Sequence, residues 1–100
     1  MKTAIELITE ERKKQISKGY TAEHDDTHIA EEIADCAALY ALSDDAIDFI
    51  NEQWGDDMQL HFWRFDLPSY KPTPNNRIKQ LTKAAAMLVA EIERLQRLNN

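Results

Sequence analysis

Hydrophobic and polar positions repeat with the period of an α-helix in four segments of the chain. Ser, Thr, Asn or Asp precedes these segments and Gly follows two of them, as is usual where helices begin and end. The predicted helices extend over about 3–18, 28–42, 44–54 and 76–98. We expect the second helix to bury Ile29, Ile33, Cys36, Ala37 and Tyr40, and the third to bury Ala46, Ile47, Phe49, Ile50 and Trp54. We therefore expect an all-α fold in which residues 1–100 form a single helical domain. It would be a small four-helix bundle with a long C-terminal helix and an aromatic, proline-containing loop before it.

The last predicted helix has the most regular apolar pattern. Its apolar residues are alternately three and four positions apart, which is typical of coiled coils: Ile78, Leu81, Ala85, Leu88, Ile92 and Leu95. At ~1.5 Å per residue the helix would be about 33 Å long. We expect it to be the central helix of the bundle. The same seam would suit pairing with a second copy, so a homodimer is an alternative.

The segment before this helix, residues 56–76, shows no helical period. It holds three prolines and a cluster of aromatic residues. Long loops in small domains are usually functional or packed by their own side chains. We expect an aromatic flap that covers the open end of the bundle, and a binding loop is the alternative.

Charge is segregated along the chain. The formal net charge is −6, and residues 19–63 contain none of the twelve Lys and Arg residues but twelve of the eighteen Asp and Glu residues. Either basic terminal helices pair with this acidic middle, or an exposed acidic surface binds a basic partner. The acidic balance argues against direct binding of nucleic acid.

Several protein classes are excluded by composition and motifs. No apolar run approaches the ~20 residues of a membrane span, and the N-terminus lacks the apolar stretch of a signal peptide. The single cysteine, Cys36, cannot form an internal disulfide and falls on the apolar side of its predicted helix. Gly-rich phosphate loops, GxSxG and CxxC are absent from the sequence. We expect a cytoplasmic protein without a catalytic nucleophile.

A stripe of His28, Glu31, Glu32 and Asp35 follows the i, i+3, i+4, i+7 spacing of one helix face. Carboxylates this dense repel one another unless a cation or a basic partner neutralises them. Mg²⁺ or Mn²⁺ with oxygen ligands would do so. A solvated polar face and a partner-binding surface are the alternatives.

The chain resembles a family of short phage and prophage proteins of unassigned activity. The family pattern reads ERxxQ, G-aromatic-T, EHDDxH, ELAxAAxxYA, KP and LxKAxALxxAEIERL. Its matches here cover nearly the whole chain: Glu11-Arg12 with Gln15, Gly19-Tyr20-Thr21, Glu23-His24-Asp25-Asp26 with His28, Glu32-Ile33-Ala34 with Tyr40, Tyr70-Lys71-Pro72, Leu81 with Lys83-Ala84, and Ala90-Glu91-Ile92-Glu93-Arg94-Leu95. The chain departs from the pattern at Asp35 and over 43–67. The resemblance implies a phage-derived protein that acts inside the host cell.

A looser resemblance is to the MazG-type all-α nucleotide pyrophosphohydrolases, which bind Mg²⁺ through an EExxE helix and an ExxD helix. Glu32 and Asp35 match the second motif, whereas Lys14 occupies the position of the last acid of the first. The resemblance implies a Mg²⁺ or Mn²⁺ site at Glu11, Asp26, Glu32 and Asp35, with Lys83 at the substrate phosphate.

Two functions follow as hypotheses, of which we favour the first. It is a non-enzymatic interaction module that inhibits a host defence or nucleic-acid-binding protein through a phosphate-mimicking acidic face. The contact residues expected for it are Glu31, Asp44, Asp45, Asp48, Asp56, Asp57, Phe62 and Trp63. The second hypothesis is a Mg²⁺-dependent, MazG-like nucleotide pyrophosphohydrolase.

Overall fold

The computed structural model describes residues 1–99 and confirms the all-α class. This part of the chain contains five α-helices and two 3₁₀ segments joined by turns and loops, and it contains no strand. The helices are α1 (Ala4–Ser17), α2 (Ala22–Asp25), α3 (Glu32–Ala41), α4 (Asp44–Trp54) and α5 (Arg77–Leu98), and the 3₁₀ segments are Met58–Phe62 and Leu67–Ser69. Within residues 1–99 no helix is both long and apolar enough to cross a membrane.

Side-chain caps fix where the longer helices begin. Thr3 and Glu6 form a reciprocal capping box on α1, with N···O distances of 3.2 Å and 3.0 Å. Ser43 Oγ accepts a hydrogen bond from the Ala46 N–H at 3.1 Å and begins α4. Asn76 begins α5 by accepting from the Lys79 N–H, also at 3.1 Å. These residues are the ones that the capping pattern indicates.

The helix predicted to begin at residue 28 begins at Glu32 instead. Thr21 caps the extra helix α2, and Glu31 then adopts a left-handed backbone with φ of 60°. This conformation interrupts a right-handed helix, so His28 and Glu31 precede α3 and the predicted four-residue stripe is broken. Ile29, expected on the buried side, is 79% exposed.

The core lies where α3 packs against α5 and the aromatic segment closes over both. Its buried members are Cys36, Leu39, Tyr40, Trp63 and Ala84, with Leu42, Phe65, Tyr70 and Met87 packed around them. Trp63 contacts Tyr40 and Tyr70 with ring centroids 5.3 Å and 5.1 Å apart. The expected aromatic flap is therefore confirmed, and Cys36 is a core residue.

Helix α5 is the central helix, as predicted, since it packs against α3, α1 and α2. The leucine-isoleucine seam does not provide this packing, because that face of the helix is exposed. Ile78 is 69% and Ile92 is 55% exposed, and Leu81, Leu88 and Leu95 are also exposed. The helix instead buries Gln80, Ala84, Ala86, Ala90, Glu91 and Arg94. Alanine side chains allow α5 to approach α3 and α1 closely, so the small-residue face provides the packing.

Helix α4 lies at the periphery and packs mainly against the 3₁₀ segment Met58–Phe62. Ala46, Ile47 and Ile50 are half-buried there. Phe49 and Trp54, expected on the buried face, are 57% and 64% exposed. A helix with one short packing partner cannot cover a wide apolar face, which accounts for the error.

Candidate functional site

Four of the six acids in the first half of the acidic segment, residues 19–35, pair with Arg or His inside the molecule, whereas Glu23 and Glu31 are exposed and have no ion pair in residues 1–99. Asp26 accepts from Arg97 Nη2 at 2.7 Å, and Asp35 accepts from Arg64 Nη1 at 2.9 Å. The internal interpretation of charge segregation therefore applies to these carboxylates.

Asp25 is the most buried carboxylate of this half. It accepts from Arg12 Nη2 at 2.9 Å, and Arg12 also donates to the Tyr20 carbonyl at 3.0 Å. Burial raises the pKa of Asp25, although the Arg12 guanidinium opposes the shift. The pair ties α1 to the segment that follows it.

The second half of the acidic segment has no such partners. Its acidic arm comprises Asp44, Asp45, Asp48, Asp56 and Asp57, all exposed. Within residues 1–99, none of the five has a Lys, Arg or His nitrogen within ion-pair distance. The arm is thus a concentration of negative charge that the described chain leaves unneutralised.

Exposed aromatic side chains accompany the arm. The rings of Phe49 and Trp54 meet edge to face with centroids 6.3 Å apart, and Phe62 is 41% exposed. Trp63, predicted as an anchor, is only 7% exposed and donates from Nε1 to the Asp66 carbonyl at 2.9 Å and to Ser69 Oγ at 3.1 Å. Trp63 is therefore a structural residue, and the prediction that it contacts a partner is wrong.

Phe49 and Trp54 were missed as contact residues because their spacing placed them on the apolar side of α4. The signal that could have identified them is the density of acids around them, since an aromatic residue between carboxylates is hard to bury. Glu31, the other acid predicted as a contact residue, is also exposed. It lies just before α3 and is therefore not part of the acidic arm, which lies on and after α4.

The candidate metal ligands do not form one site. Glu32 Oε2 lies 3.0 Å from His28 Nδ1, and its Oε1 accepts from the Ala30 N–H at 2.6 Å. Partial burial alone would raise the pKa of Glu32, but these hydrogen bonds outweigh it and lower the pKa. Asp26 and Asp35 are held by Arg97 and Arg64, and no three His, Cys, Asp or Glu side chains of residues 1–99 are placed to hold an ion.

Lys83 and Glu11 lie elsewhere, in the lining of a cavity of about 250 Å³ between α1, α3, α5 and the aromatic segment. Lys83 Nζ donates to the Lys71 carbonyl at 2.6 Å and lies 5.6 Å from the centroid of the Tyr40 ring. Burial lowers the pKa of Lys83, while the nearby Glu11 carboxylate opposes the shift. The structure therefore separates the candidate phosphate-binding lysine from Asp26, Glu32 and Asp35.

Comparison of the chain with protein-family models, with curated proteins and with solved structures gives no significant match.

Proposed function

We propose that the protein is a small interaction module whose acidic arm binds a basic surface of another protein. The observation that supports this function is the contrast between the two halves of the acidic segment. Asp25, Asp26, Glu32 and Asp35 are occupied by partners within the chain, whereas the acidic arm is exposed and has none in residues 1–99.

Electrostatics and aromatic contact would have separate roles in this interaction. Clustered carboxylates accelerate encounter with a basic surface and set the orientation of the partner, and they lose strength as salt rises. Phe49, Trp54 and Phe62 would supply the apolar anchors, because aromatic residues account for much of the binding energy at protein interfaces.

The proposed partner class is a host nucleic-acid-binding protein, including proteins of host defence. Such proteins recognise phosphate through Lys and Arg, and a row of carboxylates presents a similar charge pattern. The resemblance to phage proteins supports this class and an action in the cytoplasm of the host cell.

The test compares charge reversal on the arm with the same reversal elsewhere. Wild-type protein, Asp44→Lys/Asp45→Lys/Asp48→Lys and a control variant, Glu10→Lys/Glu23→Lys/Glu93→Lys, would each be immobilised and exposed to host-cell extract. All six positions are exposed, so each variant changes net charge equally without disturbing the core. Circular dichroism would verify that both variants retain the helical fold.

We expect wild-type and control proteins to retain the same partner and the arm variant to lose it. The retained partner should bind DNA or RNA, and added wild-type protein should displace that nucleic acid. Equal retention of the partner by the arm variant, or a partner without nucleic-acid affinity, would contradict the proposal.

A MazG-like hydrolase is not favoured by the geometry. It would need Glu11, Asp26, Glu32 and Asp35 around one metal, and the last three are bound to Arg97, His28 and Arg64 on different elements. We do propose self-association as a second property, because the α5 seam is exposed along the helix. A second copy would supply an identical apolar helix to cover it.

A further inference from the structure

The cavity of about 250 Å³ contains chemistry that the acidic arm does not use. Its lining comes from α1, the connector after it, α3, the aromatic segment and α5. The volume is close to the lower end of the range for small-molecule sites, about 300–1,000 Å³. A compact ligand would fill it.

One wall is aromatic and apolar. Tyr40, Trp63 and Phe65 line the cavity, and the Trp63 and Phe65 rings meet edge to face at 5.7 Å. Ile33 and Met87 extend the apolar surface. A wall of packed rings favours a flat, ring-containing group, because stacking combines burial of apolar area with the geometry that aromatic pairs prefer.

The polar part of the lining is cationic, although the whole chain is acidic. Arg12, Lys18, Lys71 and Lys83 face only two carboxylates, Glu11 and Asp25. The Asp25 carboxylate is already bound to Arg12. Within residues 1–99, none of the three lysines has a carboxylate within ion-pair distance.

Several hydrogen-bond donors of the cavity lining have no acceptor in the described residues. Arg12 Nε is buried and has no hydrogen-bond partner in the described residues. Lys83 Nζ uses one of its three protons on the Lys71 carbonyl. The Tyr40 hydroxyl accepts from the Lys71 N–H at 2.9 Å, and its own proton has no acceptor in residues 1–99. Burial raises the pKa of Tyr40 to about 12, so this hydroxyl keeps its proton at neutral pH.

We propose that this cavity binds a small phosphorylated compound with a planar ring, the class to which nucleoside monophosphates belong. The ring lies against Tyr40, Trp63 and Phe65, and the phosphate receives hydrogen bonds from Lys83 and the neighbouring lysines. Glu11, whose carboxylate has no hydrogen bond within residues 1–99, accepts from a hydroxyl or ring N–H of the ligand. This site is independent of the acidic arm and does not rest on the proposed function.

Calorimetric titration with four probes tests the two halves of the ligand separately. AMP and GMP carry both ring and phosphate, adenosine carries the ring alone, and inorganic phosphate carries the anion alone. We expect saturable binding of at least one nucleotide with a Kd below about 1 mM, and binding at least about tenfold weaker for adenosine and for phosphate. If adenosine binds as tightly as AMP, the cationic lining has no role and the proposal fails.

Variants locate the binding within the cavity. Lys83→Met should weaken the nucleotide that binds by at least about tenfold, whereas Lys79→Met should not. Lys79 is four residues earlier on the same helix and is exposed outside the cavity lining. Lys18→Met is a second cavity variant at an exposed position, so it reports on binding even if the half-buried Lys83 is needed for folding.

Fluorescence supplies a readout that depends on position. In a Trp54→Phe background, Trp63 is the remaining tryptophan, because the sequence has two. A ring stacked on the wall should quench its emission with the same Kd that calorimetry gives. The proposal is overturned if neither AMP nor GMP binds at millimolar concentration. It is also overturned if the Lys83→Met, Lys18→Met and Lys79→Met variants all bind the nucleotide with the affinity of the wild type.

Discussion

At the scale of single residues, the least expected feature is an ion pair in the packed face of α5. Arg94 donates from Nε to Glu91 Oε1 at 2.7 Å and from Nη2 to Oε2 at 3.0 Å. The two residues are 1% and 3% exposed. Charges removed from water to this extent are costly unless each satisfies the other, so their stability depends on the bidentate geometry.

Arg94→Met should therefore destabilise the protein more than a typical core substitution. The variant leaves the Glu91 carboxylate buried without its cation, and we expect the free energy of unfolding to fall by about 3–5 kcal/mol. Urea denaturation followed by circular dichroism would measure the change.

The double variant Glu91→Leu/Arg94→Met is the control for this prediction. It removes both charges and keeps apolar volume, so most of the lost stability should return. An Arg94→Met variant with the urea midpoint of the wild type would show that the pair is not buried in solution.

The sequence predicts the α3 part of the core correctly but not the burial of Trp63. Ile33, Cys36, Ala37 and Tyr40 are buried as their spacing predicts. The sequence predicts Trp63 as an anchor because it lies in a possible binding loop and tryptophan is frequent among the residues that dominate protein interfaces. Its burial depends on contacts with Tyr40 and Tyr70 that are distant in sequence, and no local pattern contains them.

At the scale of helices, the sequence predicts where α1, α4 and α5 lie but not which face of α5 is buried. Two faces of α5 are apolar: the leucine-isoleucine seam, and the alanine side that includes Ala84 and Ala90. An analysis of periodicity gives more weight to the face with the larger apolar side chains, Leu and Ile. Close packing between helices instead favours the face with the smaller side chains, Ala. The Arg77 guanidinium adds a constraint that no periodicity shows, because it donates to the carbonyls of Tyr40, Ala41 and Leu42 at the end of α3.

The candidate sites differ in how well the sequence predicts them, because some depend on contacts between residues that are distant in sequence and others do not. The acids of the arm could be identified by composition alone, since each carboxylate is exposed and needs no partner in the chain. The cavity could not, because its cations come from α1, the aromatic segment and α5 and meet only in the fold. The predicted metal site does not form, because two of its expected ligands, Asp35 and Asp26, pair with Arg64 and Arg97, which are distant in sequence.

The sparse packing of α4 predicts that it is the least stable of the longer helices. Amide hydrogen exchange should be faster in α4 than in α3, which packs against both α5 and the 3₁₀ segment Met58–Phe62. Ser43→Ala removes the cap on the Ala46 N–H and should lower the protection of α4 by a further ~1 kcal/mol. Amides of α3 act as the internal control and should be unchanged. Equal protection of α3 and α4 in the wild type would contradict this assignment.

At the scale of the whole molecule, the two proposed interactions have opposite dependence on salt. Binding of the acidic arm to a basic partner joins unlike charges and weakens as ionic strength rises. Self-association brings together two copies that each carry a net charge of −6, so salt screens a repulsion and strengthens the dimer. Ionic strength therefore separates the two interactions without any substitution.

The exposed seam of α5 predicts a dimer whose population rises with protein concentration. Ile78, Leu81, Leu88, Ile92 and Leu95 expose between 37% and 69% of their surface along a helix of 22 residues. Covering such a seam with an identical one removes apolar area from water on both copies. Sedimentation equilibrium should show a monomer–dimer equilibrium that shifts to dimer at higher salt.

Leu88→Lys/Ile92→Lys should abolish that equilibrium, because it places four charges in the middle of the dimer seam. Lys79→Leu/Glu93→Leu is the matched control: it changes two exposed positions of α5 outside the seam and should leave the dimer intact. Neither pair belongs to the core cluster or to the cavity lining, so both variants should keep the fold. If the wild-type protein has the mass of one chain at every protein and salt concentration, the seam does not mediate self-association. A dimer that survives Leu88→Lys/Ile92→Lys would place the interface on another surface.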